Sequence, residues 1–208
     1  MNLKRLIPSA LPPLRCCLLS GGMSKRMGED KALIPHREGG TWLERTLLLL
    51  SKLKSPITLL SRHQSHLNLA SSHQAALAVQ GVCLEIVAEP APWEGPLLAL
   101  NRLMQMHPDQ RLLLCAVDMP QLNCKVLKRL IAEAKPAGLY MAHNGNLPQP
   151  LLGVYYSDVN RRTHLNKIVM AGERSLNGWL NQLAHKTVLL DQAAMLNVNQ
   201  KTDLPNQT

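Results

Sequence analysis

Residues 16–31 read Cys16-Cys17-Leu18-Leu19-Ser20-Gly21-Gly22-Met23-Ser24-Lys25-Arg26-Met27-Gly28-Glu29-Asp30-Lys31, and the reading of this stretch decides the fold. It opens as a short apolar run, as a buried strand does. It breaks at Ser20-Gly21-Gly22 and continues as a polar, basic loop. Two adjacent glycines after a strand let the backbone approach a ligand closely. The exposed N–H groups of such a loop form a concavity suited to phosphate. Lys25, Arg26 and Lys31 add the cations that a triphosphate requires. The plainer alternative is a glycine-rich turn carrying solvated charges.

Two well-known phosphate loops do not fit. Gly22 and Gly28 are one residue too far apart for G-x-x-x-x-G, and Glu29 stands where Lys should follow. No G-x-G is present, so the dinucleotide fingerprint is excluded as well.

Outward from the loop, strand and helix signals alternate. Strands are predicted at 15–19, 57–60, 82–87, 111–117, 138–142 and 150–156, with a last one at 186–190. Helices are predicted from Thr41 to about Lys54, then at 65–79, 96–107, 124–135, 159–171 and 175–185. Thr41 with Glu44 forms a capping box, and Leu43, Thr46, Leu47, Leu50 and Leu53 share one helical face. Leu67, Ala70 and Leu77 are the expected inward positions of the second helix. Pro96 suits the first turn of the third, and Asn144-Gly145 signals a hairpin. Arg111–Val117 is the most hydrophobic strand and is expected at the centre.

Alternation of this kind implies right-handed βαβ units. The expected fold is α/β, a Rossmann-like three-layer sandwich with a mostly parallel sheet. Ligands in such folds bind beyond the carboxyl ends of the strands. The glycine loop, Glu89 and Asp118 all fall at such ends.

Asp118 closes the central strand in Ala116-Val117-Asp118-Met119-Pro120. A carboxylate there can hold Mg²⁺, which keeps waters and takes phosphate oxygens as further ligands. The alternative is an N-cap aspartate. Lys31 can meet a triphosphate as a point charge and Arg26 as a bidentate fork. Asp30 reads as structural, holding the loop or pairing with a cation. Gly95, at a helix N-terminus, suits an anion.

The bulk properties narrow the function. The chain has 208 residues, enough for one domain with a full core. We expect a flexible leader over 1–14 and a single domain over 15–208. The leader is too short in apolar residues, and too interrupted by Pro8, Pro12 and Pro13, for a signal peptide. The net charge of +9 invites a nucleic-acid reading, yet aromatics make up 3% of the chain and Phe is absent. Single-strand readers need stacking aromatics. Anionic small molecules are the better match, with no nucleic acid and no membrane. Five cysteines without a C-x-x-C pair argue against zinc and fit a reducing, cytoplasmic setting. Cys16, Cys17, Cys83 and Cys115 lie in apolar strand-like runs. His63, His66, His73, His107, His143, His164 and His185 show no metal spacing, and most are expected at the surface.

The opening stretch resembles L-[AS]-G-G-x-S-x-R-M-G-x-D-K, the first motif of the nucleotidyltransferases that make molybdenum cofactors, the guanylyltransferase (MobA-type) branch above all. The one departure is Ser20, where Ala is usual. Fragments resembling this family run to about Leu204. The resemblance implies a nucleotide-diphospho-sugar-transferase-like fold and GMP transfer from GTP to molybdenum-bound molybdopterin. Mg²⁺ would be held at Asp118. Nucleotide contacts would fall at Leu19, Ser20, Gly21, Gly22, Lys31, Glu89, Gly95 and Asp118, with Arg26, Lys31 and Asp118 catalytic. Glu89 takes the place of the family's acidic residue, with Glu94 as the alternative. Ser61-Arg62-His63-Gln64 resembles N-x-N-R-H-Q with Leu59 and Ser61 replacing the asparagines, which weakens the transfer of base contacts to this strand end. Asn197 and Asn199 resemble the N-[IV]-N ending and would face the pterin; the alternative is an Asx-rich turn. Gln149–Leu151, Gly153–Tyr155, Gly172–Ser175 and Trp179-Leu180 would shape the acceptor side. Proteins of cofactor synthesis or delivery are the implied partners. A cytidylyltransferase, a sugar-phosphate nucleotidyltransferase and a non-catalytic GTP-binding module remain as alternatives.

Overall fold

The computed structural model describes residues 11–22, 27–135 and 138–198. Seven strands form one sheet: β1 (Leu14–Leu19), β2 (Ile57–Ser61), β3 (Leu84–Ala88), β4 (Arg111–Ala116), β5 (Leu139–His143), β6 (Pro148–Tyr156) and β7 (Lys186–Leu189). Their order is β3-β2-β1-β4-β6-β5-β7, so β4 is central, as its composition implies. The pairings β1 with β2, β1 with β4, β2 with β3 and β5 with β7 are parallel. Only β6 runs against its neighbours, β4 and β5.

Six helices cover the two faces: α1 (Trp42–Ser51), α2 (Gln64–Val79), α3 (Pro96–Met106), α4 (Cys124–Glu133), α5 (Val159–Met170) and α6 (Leu176–Leu180). The strand residues alternate between the two cores. Cys16, Leu18, Leu113 and Cys115 pack with Leu43 and Leu47 of α1, Leu77 of α2 and Leu127 of α4. Cys17, Leu112 and Leu114 pack with Leu100 of α3, Leu165 of α5 and Trp179 of α6. A strand buried on both faces reads as an unbroken apolar run, which is why β1 and β4 stand out in the sequence. The fold is the expected α/β three-layer sandwich.

Local signals explain most boundaries. The Thr41 hydroxyl accepts from the Glu44 N–H at 3.3 Å, and the Glu44 carboxylate accepts from the Thr41 N–H at 2.6 Å. Pro96 occupies the first turn of α3, behind Gly95 at φ 99°, a conformation that glycine adopts without strain. Asn144 Oδ1 accepts from the N–H groups of Asn146 and Leu147 and so turns β5 into β6.

Several expectations shift. The third strand begins at Leu84, not Val82, because the Val82 N–H donates to the Leu77 carbonyl and closes α2. Cys83 is therefore exposed rather than a strand-core thiol. The first strand starts one residue early, at Leu14, and Arg111 reaches back to the Pro12 and Pro13 carbonyls. The helix expected over 175–185 ends at Leu180, where His185 Nδ1 hydrogen-bonds the carbonyls of Leu180 and Leu183. In α2 the inward set is His66, Ala70 and Leu77, with Leu67 only half-buried. His66 and His107 are buried, against the expectation for the histidines.

Candidate functional site

The carboxyl ends of β4, β1, β2 and β3 open into one cleft of about 430 Å³. Leu19, Ser20, Gly21 and Gly22 line it from the end of β1, and Lys31 lines it from the short 3₁₀ turn Lys31–Leu33. Glu89 and Gly95 enter from behind β3, and Asp118 from behind β4. The chain thus brings together nucleotide-binding candidates that are widely separated in sequence. Arg26 and Asn199 lie outside the described residues.

Each wall has a physical reason. A Cβ on Gly21 would stand 2.9 Å from Glu89 Oε2, so glycine lets the loop close onto the neighbouring wall. The Glu89 carboxylate is held on its other oxygen by the Arg102 guanidinium at 2.7 Å. Glu94, the alternative acidic residue, sits at the surface paired with Arg174 and does not line the cleft.

Asp118 is the electrostatic anomaly. Its Oδ1 is buried and has no hydrogen-bond partner among the described residues. Burial pushes its carboxyl above the usual carboxylate range, while the nearby Lys31 ammonium and the Asp118 backbone N–H pull it back down. A buried carboxylate oxygen with no partner costs stability unless something cationic meets it. The N-cap alternative is excluded for α4, whose cap is Asn123 accepting from the Val126 N–H. A divalent cation fits this oxygen. No cluster of three or more His, Cys, Asp or Glu residues assembles among the described residues. That donor set is too sparse to cage an ion but matches one completed by substrate phosphates and water.

Asn197 does not line the cleft, yet it is tied to Asp118. The Val198 N–H donates to the Asp118 carbonyl at 3.0 Å. Asn197 Nδ2 donates to Gln149 Oε1 at 2.8 Å, and its Oδ1 is buried without a partner among the described residues. Of the other acceptor-side expectations, Leu151 lines the cleft. Tyr155, Trp179 and Leu180 are fully buried in the core instead, with the Tyr155 hydroxyl donating to the Pro150 carbonyl.

Sequence reasoning missed His66. It is 1% exposed, in the first turn of α2. Its Nδ1 lies 2.7 Å from the Ser20 carbonyl oxygen and 2.8 Å from the Ser20 hydroxyl. Its Nε2 lies 2.7 Å from Asp30 Oδ2, a carboxylate that only accepts, so Nε2 carries the proton. Asp30 Oδ1 in turn accepts from the Ala32 N–H and caps the turn that carries Lys31. One imidazole thus closes the neck of the glycine loop, from Ser20 to Asp30. Asp30 is structural, as its sequence position suggests, and its partner is a histidine. The only sequence hint is Ser20 itself, polar where the motif usually carries alanine.

A family model for the MobA-like NTP transferase domain matches residues 16–187. The chain belongs to this family. It is a nucleotidyltransferase of the MobA-like kind, and the loop, Lys31 and Asp118 all lie within the matched region. A protein of Rhodopirellula baltica named probable molybdenum cofactor guanylyltransferase is 29% identical over 206 residues, covering 94% of this chain and 92% of its own. A protein of the same name from Mycobacterium avium is 27% identical over 194 residues, covering 90% and 91%. Among solved structures, molybdopterin-guanine dinucleotide biosynthesis protein A of Archaeoglobus fulgidus superposes with a TM-score of 0.68 at 19% identity, over 91% of this chain and 94% of its own. The 4-diphosphocytidyl-2C-methyl-D-erythritol synthase of Anaerococcus prevotii reaches 0.70 at 12% identity, over 92% of each chain. At those identities the two structures show the shared fold alone. No helix among the described residues is long and apolar enough to cross a membrane.

Proposed function

We propose that this MobA-like nucleotidyltransferase transfers GMP from GTP to the terminal phosphate of molybdenum-bound molybdopterin, giving the guanine dinucleotide cofactor and pyrophosphate. The observation that carries the reading is the placement of Lys31 and the unpartnered Asp118 oxygen in one cleft with the glycine loop. The names of the relatives support the choice of GTP and the pterin.

A pterin phosphate oxygen attacks the α-phosphorus in line, and the bond from that phosphorus to the pyrophosphate bridging oxygen breaks. The Gly21 and Gly22 backbone, Arg26 and Lys31 hold the triphosphate. Leu19 and Ser20 shape the loop entrance, and Glu89 and Gly95 bind the nucleotide on the β3 side. Asp118 is the protein ligand for Mg²⁺, which when bound supplies charge neutralisation at the phosphates. Asn197 and Asn199 are the proposed pterin-side residues. No covalent enzyme intermediate is required, because positioning and electrostatics carry phosphoryl-group transfer. Residues 15–208 work as a single domain. The proposed setting is the cytoplasm, consistent with five unpaired cysteines, with proteins that make or receive the cofactor as partners.

The test is transfer from α-labelled nucleotide to molybdenum-loaded pterin, comparing GTP with CTP, with and without Mg²⁺. Mg²⁺-dependent GMP transfer is the expected result. CMP transfer would keep the site and replace the donor. Tight GTP binding with no pyrophosphate release would overturn the enzymatic reading in favour of a binding module.

A further inference from the structure

The cleft has two unlike ends, and strand order separates them. Asp118 follows β4 and the glycine loop follows β1, whereas Arg62 follows β2, and Glu89 and Trp93 follow β3. Neighbouring strands lie about 4.8 Å apart, so β4 and β3 are separated by roughly 14 Å. Lys31, Asp118 and the glycine loop stand at the β4–β1 end, and Arg62 and Gly95 at the other. The other end holds a flat aromatic surface.

That surface is Trp93. It is 52% exposed and lines the cleft. In a chain with 3% aromatics and no Phe, it is the one exposed large aromatic among the described residues. It is held at two points. Its indole N–H donates to the Glu89 carbonyl at 2.8 Å, and the Arg62 guanidinium stands 5.3 Å from the ring centroid. A large apolar ring left half open at the rim of a polar cleft, with its orientation fixed, is a prepared stacking platform. With phosphates at Lys31 and Asp118, the rest of the cleft lining, Arg62, Glu89 and Trp93, follows β2 and β3, and a base lying along it meets Trp93.

We infer that Trp93, braced by Arg62 and the Glu89 carbonyl, stacks on the base of the bound nucleotide and gives the enzyme its preference for a purine over a pyrimidine. This rests on the reading that the cleft takes a nucleoside triphosphate. A purine presents two fused rings to the indole and a pyrimidine one, so stacking favours GTP over CTP before any hydrogen bond to the base edge is made. Arg62 is a positioning residue here: it fixes the indole plane.

Tryptophan emission reports the contact directly, because Trp42 and Trp179 are buried at 3% and 0% exposure. In the full chain with Mg²⁺, GTP should quench emission saturably, and inorganic tripolyphosphate should compete without quenching. Trp93→Phe should lose the quench while keeping most of the affinity. Trp93→Leu should raise the Kd and KM for GTP about 5- to 150-fold, the span of one lost base–aromatic stack. It should leave kcat, tripolyphosphate binding and the melting temperature near wild type, and narrow the GTP-to-CTP ratio. GTP binding by calorimetry with no quench, or with unchanged affinity in Trp93→Leu, overturns the stacking role and leaves the nucleotidyltransferase reading standing. Failure of the wild-type chain to bind any nucleoside triphosphate overturns both.

Discussion

Two polar clusters sit on the same sheet and differ in one respect. Toward the amino ends of the strands, Arg15 donates to Gln110, Thr58 and Glu85, and Thr58 also meets Glu85 and His107, all at 3.0–3.2 Å. Toward the carboxyl ends, Asp118 Oδ1 and Asn197 Oδ1 are buried with no partner among the described residues. The satisfied cluster holds strands together; Asp118 Oδ1, the one of the three unsatisfied atoms whose residue lines the cleft (Asn197 and Arg162 do not), is the group we propose meets substrate or ion. The glycine-loop neck stands between them: Ser20, His66 and Asp30 satisfy one another, so that what lies beside them need not.

The largest effect should come from Asp118→Asn. Loss of the charge should lower transfer at least about 10²–10³-fold, as removal of a preorganised electrostatic group does. The fold should gain stability. The raised carboxyl means the native state holds its proton more tightly than the unfolded chain. The wild type therefore loses stability as pH rises from the ordinary value of 3.8 through the raised one, and the asparagine variant does not. Melting temperatures at neutral pH without divalent cations should favour Asp118→Asn, and the gap should close in acid.

His66→Leu should come next. It removes the imidazole that joins Ser20 to Asp30 Oδ2 and loosens the loop neck, although the Ser20 carbonyl still accepts from the Ser61 hydroxyl at 2.7 Å. KM for GTP should rise about tenfold, the equivalent of one lost buried hydrogen bond of about 1–3 kcal/mol, with a smaller change in kcat. If melting temperature falls but KM stays put, the neck is only structural.

Arg15→Ala should show the opposite pattern: a stability loss of about 1–3 kcal/mol by denaturant unfolding, with kcat/KM of the folded enzyme within about twofold. The lower part of that range applies, because Glu85 is partly open to solvent. His107 sharpens the contrast by pH. Burial, with the Arg15 charge, holds its imidazole below the usual 6.5, partly opposed by Glu85. The neutral form is favoured in the fold, so its contribution is full above 6.5 and is lost as pH falls from there through the lowered value. His107→Gln should flatten that acid limb without touching transfer.

The smallest effect should be that of Ser20→Ala. The hydroxyl contact goes, but the Ser61 hydroxyl still stands 3.1 Å from His66 Nδ1 and can donate to it, so KM should move less than about threefold.

What was legible in the sequence follows from how local each signal is. β1, β4 and the Thr41–Glu44 capping box depend on neighbours in the chain, and they appear where composition and spacing put them. The site candidates were legible because the strand-end rule gathers Gly21, Glu89 and Asp118 before any contact is known. His66 was not, since nothing near residue 66 announces partners at 20 and 30. Arg15, Thr58 and Glu85 were invisible for the same reason: their pairing is fixed by strand register. Trp93 lies in an irregular, proline-rich stretch where no periodicity assigns it a face. The Val82-Cys83 start failed because a helix-closing hydrogen bond outcompeted strand propensity.

On the proposed reading, catalysis lives at the unsatisfied Asp118 and stability in the satisfied cluster. The most direct measurement is GMP transfer from α-labelled GTP at saturating Mg²⁺ by Asp118→Asn and Arg15→Ala, each corrected for its folded fraction. Asp118→Asn should be nearly inactive though well folded, and Arg15→Ala nearly wild type per folded molecule. Full activity in Asp118→Asn, or a folded but inactive Arg15→Ala, would contradict it.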